Sequence, residues 1–169
     1  LQNGQFTTGN GDDITSQDGY SYAIVNSAGS QNWTDYSVQC SMWLYQQNGR
    51  ALLVGRWMDK DNHYEGVIET YQGKRMLRIE KILNGRRTTL AQAVDGQDGV
   101  VTLSGSRLSM SMDGTKYVEV DDTSFSRGAA GLGEWYHFAY FDDFIVREIT
   151  PGAPAEPVSR IPTEVQTIS

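Results

Sequence analysis

Apolar and polar residues alternate with a period of two in several stretches of the chain. In the clearest stretch one face carries Tyr36, Val38, Cys40, Met42 and Leu44. Because successive side chains of a β-strand point to opposite faces, this pattern predicts a half-buried strand. Two further stretches have the same pattern, one with Leu77, Ile79 and Leu83, the other with Leu108, Met110 and Met112. No stretch shows the apolar stripe of a helix.

Tight turns are predicted between these strands. The dipeptides Asn48-Gly49, Asn84-Gly85 and Asp113-Gly114 each separate two alternating stretches, and such pairs accept the positive φ that two-residue hairpins require. We count about ten to twelve short strands. Hairpins without intervening helices predict an all-β fold, a two-sheet antiparallel jelly-roll or related sandwich.

The prolines mark a boundary near the end of the chain. All of them lie among residues 151–169 (Pro151, Pro154, Pro157 and Pro162). Proline cannot donate to a sheet ladder, so a proline-free body predicts a β-sandwich domain over residues 1–149. Residues 150–169 are then predicted to be a proline-rich tail or linker.

Composition narrows the classes of function. The chain has 169 residues and a net charge of -7, and it contains no basic run and no apolar run of membrane-spanning length, which argues against nucleic acid and membrane insertion as partners. Asn32-Trp33-Thr34 is a glycosylation sequon, which favours a secreted or surface protein. The single cysteine, Cys40, shares a face with apolar residues and is expected to be an inert buried thiol.

Three segments carry a family resemblance. Residues 18–24 with 32–44, then 49–69, and finally 100–135 with 139–146 follow the order of elements in the laminin-G-like branch of the concanavalin A-like superfamily. The chain resembles the carbohydrate-binding modules and keto-disaccharide hydrolase-like domains of that branch over roughly residues 18–148. The resemblance implies a concanavalin A-like jelly roll. It leaves the activity open, because this sandwich hosts lectins, hydrolases, lyases and adhesion modules.

No complete catalytic set is present. Glucanases of the superfamily carry two glutamates around an aspartate on one strand, and the similar segment here is Glu119-Val120-Asp121-Asp122 followed by Thr123, without the second glutamate. The Gln-x-His strand of alginate-lyase-like relatives is absent around His63 and His137. We therefore predict no catalytic residues.

A sugar-binding site is predicted from aromatic and charged side chains. Aromatic rings stack on the apolar face of a sugar ring, and polar groups beside them bind its hydroxyls. The resemblance favours Arg56 and Tyr64, and further candidates are Trp57, Tyr45, Trp135 and His137. The alternative for each aromatic residue is packing in the core.

Two further sets of charged residues can each be interpreted in two ways. The resemblance implies a structural calcium ion held by Asp143 and Asp142 together with Asp12, Asp13 or Asp18, although such carboxylates also occur as solvated loop residues. Glu80-Lys81 and Arg86-Arg87 flank a predicted turn. They are interpreted either as solvated hairpin residues or as contacts to a polyanionic glycan.

Three hypotheses of function follow. The first is a non-catalytic carbohydrate-binding or adhesion module, extracellular or on the cell surface, whose partner is a glycan or polysaccharide. The second is a structural subunit of an extracellular filament, surface layer or virion that contacts neighbouring subunits through residues 151–169. The third is a glycoside hydrolase or lyase with an unconventional site built from Glu65, Glu69, Asp121 and His137.

Overall fold

The computed structural model describes residues 19–44, 49–95, 99–104, 107–135 and 139–150. These residues form eleven strands and one short 3₁₀ turn, Ser30–Asn32. The strands are β1 (Tyr20–Ile24), β2 (Tyr36–Leu44), β3 (Arg50–Asp59), β4 (Asn62–Tyr71), β5 (Lys74–Leu83), β6 (Arg86–Asp95), β7 (Gly99–Ser104), β8 (Leu108–Met112), β9 (Thr115–Val120), β10 (Ala129–Trp135) and β11 (Ala139–Glu148).

The strands form two antiparallel sheets. One has six strands in the order β1-β10-β3-β4-β5-β6, and the other has five in the order β11-β2-β7-β8-β9. Consecutive strands form hairpins from β3 to β6, whereas β10 and β11 each return to pair with strands far away in sequence. The predicted all-β, two-sheet sandwich is confirmed.

The core lies between the inner faces of the two sheets. The apolar face of β2 is buried throughout, as the alternation predicts, and Leu108, Met110 and Met112 of β8 pack in the same cluster. From the six-stranded sheet, Leu77 and Ile79 enter this core. Leu83 shares their face but lies at the end of β5, where it is exposed.

Two of the predicted hairpin turns are confirmed. Asn84-Gly85 and Asp113-Gly114 have positive φ at both positions, as a tight two-residue turn requires. The turn between β4 and β5 has the same geometry in Gln72-Gly73, a pair that the sequence prediction missed. Asn48 lies outside the described residues.

A bulge in β3 interrupts its alternation. Arg56 has a φ of 51°, and the pairing of β3 with both of its neighbours shifts register at this point. Because a bulge adds one residue to a strand, it exchanges the two faces beyond it. Ala51 and Leu53 before the bulge face the core, whereas Trp57 after the bulge joins a smaller cluster with Val54 and Ala129. The face of β3 away from the core is apolar on both sides of the bulge, with Val54 before it and Trp57 after it.

Three sequence predictions concern other parts of the fold. Cys40 is buried, its thiol donates to the carbonyl oxygen of Asp142, and burial raises its pKa to about 12, as expected for an inert thiol. Among the described residues, no helix has the length and apolar character needed to cross a membrane. The predicted tail beyond Thr150 lies outside the described residues.

Candidate functional site

The outer face of the six-stranded sheet, opposite the core, carries an unusual set of charged residues. Strand register places Arg50 of β3 opposite Glu69 of β4, and Glu65 of β4 opposite Glu80 of β5. Residues directly opposite in an antiparallel pair share a face, so the strands bring these side chains together. We call this set the arginine–glutamate cluster: Arg50, Arg78, Arg87, Glu65, Glu69 and Glu80.

Glu65 is the most deeply buried member of the cluster. Its carboxylate has no exposed surface, pairs with the guanidinium of Arg87, and accepts a hydrogen bond from the hydroxyl of Tyr22 at 2.8 Å. Nη1 of Arg87 also lies 2.7 Å from Oε2 of Glu80. Arg87 therefore bridges strands β6, β5 and β4.

Arg50 and Arg78 complete the cluster on its other side. Arg50 donates to Glu80 at 3.2 Å, to Glu69 at 3.3 Å and to the hydroxyl of Tyr20 at 3.2 Å. Nη1 of Arg78 lies 2.7 Å from Glu69. Since every carboxylate has a guanidinium partner, the cluster is a network of ion pairs that fixes the side chains in place.

The network keeps Glu65 ionised. Burial alone would raise the pKa of Glu65, but the hydrogen bond from His63 and the charge and hydrogen bonds of Arg87 outweigh burial and hold the pKa at about 2. The carboxylate in turn raises the pKa of Arg87 against the opposite effect of burial. A general acid needs a raised pKa at neutral pH, so this environment does not suit Glu65 to that role.

His63 lies beneath the cluster with both ring nitrogens facing oxygen atoms. Nδ1 is 3.1 Å from the carbonyl oxygen of Asp59, and Nε2 is 3.0 Å from Oε1 of Glu65. A carbonyl and an ionised carboxylate both accept hydrogen bonds. A ring nitrogen that carries a proton donates to such an oxygen, so His63 links the carboxylate of Glu65 on β4 to the backbone at the end of β3.

Four aromatic rings surround the cluster on the same face. Tyr20 lies opposite Trp135 in the pairing of β1 with β10, and their ring centroids are 6.1 Å apart. Tyr22 packs against Trp57 at 5.0 Å, deeper in the sheet. Tyr20 and Trp135 are partly exposed, which leaves part of their surfaces open to a ligand.

The aromatic rings contact the cluster directly. The guanidinium of Arg87 lies 4.2 Å from the ring centroid of Tyr20, and that of Arg50 lies 6.0 Å from the ring centroid of Trp135. Both distances are in the range of cation–π attraction. The outer face therefore combines partly exposed aromatic surface with fixed hydrogen-bonding groups, which are the two components of a sugar site.

A glycine makes room for this arrangement. A Cβ on Gly133 of β10 would lie 2.8 Å from Cδ1 of Tyr22 and 3.0 Å from Cδ1 of Leu52. Because carbon atoms do not approach so closely without displacement, Gly133 allows the ring of Tyr22 to lie across the sheet toward Glu65.

The depressed pKa of Glu65 predicts a loss of stability in acid. A carboxylate whose folded pKa is lowered stabilises the fold above its unfolded pKa, and this contribution is lost as the pH falls through the folded value. The window for Glu65 is therefore from about pH 4.5 to about pH 2. The difference between these pKa values corresponds to about 3 kcal/mol.

Urea unfolding followed by tryptophan fluorescence at a series of pH values measures this contribution. We expect the free energy of unfolding to fall steeply across the window in the wild type and less steeply in a Glu65→Gln variant. Equal slopes in the two proteins would show that Glu65 is not the group responsible.

The two favoured sugar contacts of the sequence prediction are placed inside the protein. Arg56 is buried at the bulge of β3, where its side chain donates to the carbonyl oxygen of Phe125 at 2.8 Å and its backbone N–H donates to Tyr36. Tyr64 has no exposed surface, and its hydroxyl donates to Asp122 at 2.5 Å and accepts from the backbone N–H of Phe125. Burial and the bond to Asp122 raise the pKa of Tyr64 to about 12.

These contacts give both residues a packing role. Their participation in sugar binding stays a prediction, and the outer-face site does not include them. The pairing of Tyr64 with Phe125 instead holds the segment after β9 against β4.

The other four candidates have different positions. Trp57 and Trp135 both lie on the outer face of the six-stranded sheet, Trp57 nearly buried and Trp135 partly exposed. Tyr45 and His137 lie outside the described residues. The structure therefore brings two of the six predicted residues to the face that carries the arginine–glutamate cluster.

The predicted calcium ligands lie at a second bulge. Asp142 and Asp143 are exposed in β11, where Asp143 has a φ of 54° and its N–H donates to the carboxylate of Asp142 at 2.8 Å. Among the described residues, no three His, Cys, Asp or Glu side chains are grouped to hold a metal ion. Asp12, Asp13 and Asp18 lie outside the described residues, so calcium binding stays a prediction.

The predicted glycosylation site is at the surface. Asn32 ends the 3₁₀ turn, is exposed, and its side-chain oxygen lies 3.4 Å from Nη1 of Arg127. Its glycosylation stays a prediction.

The sequence prediction missed most of the arginine–glutamate cluster. Arg50 and Arg78 were not among its candidates, and the interpretation of Glu80 as a solvated hairpin residue is wrong, because Glu80 is only 1% exposed. One signal was available: Glu65, Glu69, Arg78 and Glu80 are charged residues at alternate positions of neighbouring stretches that are otherwise apolar. Only the strand register shows that they are paired.

Comparisons with known proteins support the fold. No protein-family model matches the chain, and no curated protein does. Among solved structures, the carbohydrate binding module CBM66 from Bacillus subtilis is similar with a TM-score of 0.66 and 20% identity, over 79% of this chain and 84% of that one. The fold is a jelly-roll β-sandwich of the concanavalin A-like type, as the sequence predicted.

Two larger proteins contain a similar unit. The GH43B protein of the Bacteroides ovatus xyloglucan PUL matches with a TM-score of 0.54 and 15% identity, and the GH43 BlXynB protein from Bacillus licheniformis with 0.55 and 11%. Each match covers 76% of this chain but 29% and 30% of theirs. This chain therefore corresponds to under a third of either protein.

Proposed function

We propose that this protein is a non-catalytic carbohydrate-binding module that acts outside the cell or on its surface, and that its glycan binds to the outer face of the six-stranded sheet. The observation that carries the proposal is the combination of partly exposed Tyr20 and Trp135 with the guanidinium groups of Arg50 and Arg87. The similarity in fold to a carbohydrate-binding module supports it.

The physical basis is preorganisation. Sugars are recognised by stacking on aromatic rings and by hydrogen bonds from side chains that are already fixed. Here the arginines are held by ion pairs to buried carboxylates, so a ligand does not have to immobilise them when it binds. The rings of Trp135 and Tyr20 lie beside two of these arginines, Arg50 and Arg87 respectively.

The proposal of binding without hydrolysis rests on the carboxylates. Glycosidases use two carboxyl groups, of which one is a general acid with a raised pKa. On the outer face, Glu65 has no exposed surface and a pKa of about 2, and Glu80 is 2% exposed at its side chain. Both are engaged by arginine, which supports a structural role for them.

A glycan-array screen of the folded chain tests the proposal, with Trp135→Ala and Trp43→Ala as matched variants. Trp43 is a suitable control because it is exposed on the outer side of the other sheet. We expect at least about a tenfold loss of affinity for Trp135→Ala, because stacking surface is removed, and no loss for Trp43→Ala. Absence of any glycan binding by folded wild-type protein would refute the proposal.

A further inference from the structure

We propose, resting on the carbohydrate-binding function above, that the ligand is an acidic oligosaccharide whose carboxylate pairs with Arg78. The arrangement of the arginine–glutamate cluster favours an anion. Its guanidinium groups are nearer to solvent than most of its carboxylates, and one arginine edge lacks strong hydrogen-bond acceptors.

Charge is layered across the outer face. The side chains of Glu65 and Glu80 are 0% and 2% exposed, whereas those of Arg50, Arg78 and Arg87 are 14%, 18% and 24% exposed. Glu69, at 14%, is the one carboxylate of the cluster at the level of the arginines. A ligand that approaches this face therefore meets mainly guanidinium groups, with the compensating carboxylates beneath them.

Arg78 is the member of the cluster with the weakest set of acceptors. Its Nη1 pairs with Glu69 at 2.7 Å, but its Nη2 donates to the thioether sulfur of Met76 at 3.4 Å, and a thioether is a weak acceptor. Its Nε is buried and, within the part of the chain that the structure describes, has no hydrogen-bond partner. A buried donor without an acceptor destabilises the fold, because it has lost its hydrogen bonds to water and gained none in return.

Nε and Nη2 form one edge of the guanidinium plane. This edge can donate two parallel hydrogen bonds to the two oxygens of a carboxylate, and charge-assisted bonds of this kind are about twice as strong as neutral ones. Because Nε is buried in the structure, the proposal requires Arg78 to turn this edge toward the ligand while Nη1 keeps its pair with Glu69. A sugar hydroxyl offers only one oxygen and no charge, so a sugar carboxylate suits this edge better.

The position of Arg78 indicates the length of the ligand. Arg78 lies on β5, and Trp135 lies on β10, three strands away across the sheet. At a strand spacing of about 4.8 Å this separation is roughly 14 Å, which exceeds the width of one sugar ring. A ligand that contacts both residues is therefore an oligosaccharide that crosses the strands.

The selectivity must come from this local cluster. The chain has a net charge of -7, which repels anions at long range, particularly at low ionic strength. Preference for an acidic ligand would therefore reflect short-range pairing with the arginines and not the overall field of the protein.

Titration calorimetry with matched ligands tests the inference. The probes are oligogalacturonate, oligomannuronate and a glucuronate-substituted xylo-oligosaccharide, each compared with its methyl ester, which keeps the sugar and removes the charge. We expect at least one acid to bind tenfold or more tightly than its ester. We expect Arg78→Gln to abolish this preference, and Arg107→Gln, at an exposed arginine beside β8, to keep it.

The outcomes separate the two proposals. Equal affinity for acids and esters, or binding of neutral glycans alone, would overturn the acidic specificity and leave the carbohydrate-binding function intact. Retention of the preference by folded Arg78→Gln would overturn the role of Arg78. If folded wild-type protein binds neither these probes nor any glycan on the array, both proposals fail.

Discussion

Replacement of Glu65 by Gln is expected to lower the free energy of unfolding by about 3–5 kcal/mol, because removal of one partner leaves buried charges without compensation. Glu65 has no exposed surface and pairs with both Arg87 and His63. Gln keeps the size of the side chain, so the loss reports on charge and not on a cavity. Urea unfolding at pH 7 measures it.

Glu119 provides the matched control. It pairs with Lys116 at 2.5 Å and with Arg107 at 3.2 Å, but these contacts are at the exposed surface of β9. Solvent screens such pairs, so we expect Glu119→Gln to leave the unfolding midpoint unchanged within error. Equal effects of the two substitutions would contradict the stabilising role of the buried network.

Replacement of Gly128 by Ala is expected to lower the free energy of unfolding by a comparable amount, because the added Cβ would clash with neighbouring backbone atoms. A Cβ at this position would lie 2.4 Å from the backbone carbon of Arg56 and 2.7 Å from the backbone N of Trp57, and backbone atoms cannot move aside as a flexible side chain can. Gly128 also has a φ of 142°, which other residues rarely adopt. We expect a loss of about 3 kcal/mol or more, or failure to fold.

A Gly73→Ala variant separates the effect of the steric clash from the effect of the positive φ. Gly73, in the turn between β4 and β5, has a φ of 74°, but a Cβ added there would meet no other atom within 4 Å. Backbone strain alone therefore predicts a cost of about 1 kcal/mol at this position. Thermal unfolding of both variants measures the difference, and a milder effect at Gly128 than at Gly73 would contradict the packing of Gly128 against the bulge of β3.

The sandwich could be predicted from the sequence because its signals are local. The alternation in β2 and the turn at Asn84-Gly85 each involve only a few neighbouring residues. The bulge at Arg56 could not be predicted, because it depends on the close approach of Gly128, which is distant in sequence, and on the hydroxyl of Tyr36. The prediction of Arg56 as a sugar contact rested on the family resemblance, which contains no sign of this bulge.

The candidate site was less predictable than the fold, because it too depends on contacts between residues that are distant in sequence. Glu65 was named as a candidate, but its pairing with Arg87 joins β4 to β6 across β5 and is not visible in the sequence. A charged residue in an alternating strand is usually solvated, and the sequence contains no sign that the arginines of neighbouring strands cover these carboxylates. Trp135 was predicted as a sugar contact, and the structure places its partly exposed ring on the outer face, while its binding role stays a prediction.

The most direct test of the proposed binding face uses the tryptophan side chains as reporters. The chain has four tryptophans, so ¹H–¹⁵N spectra contain four indole signals, which single Trp→Phe variants assign. During titration with the tightest-binding glycan from the array, we expect the signal of Trp135 to shift and that of Trp43 to stay in place. A shift of Trp43 with no change at Trp135 would place the ligand on the other sheet and contradict the account.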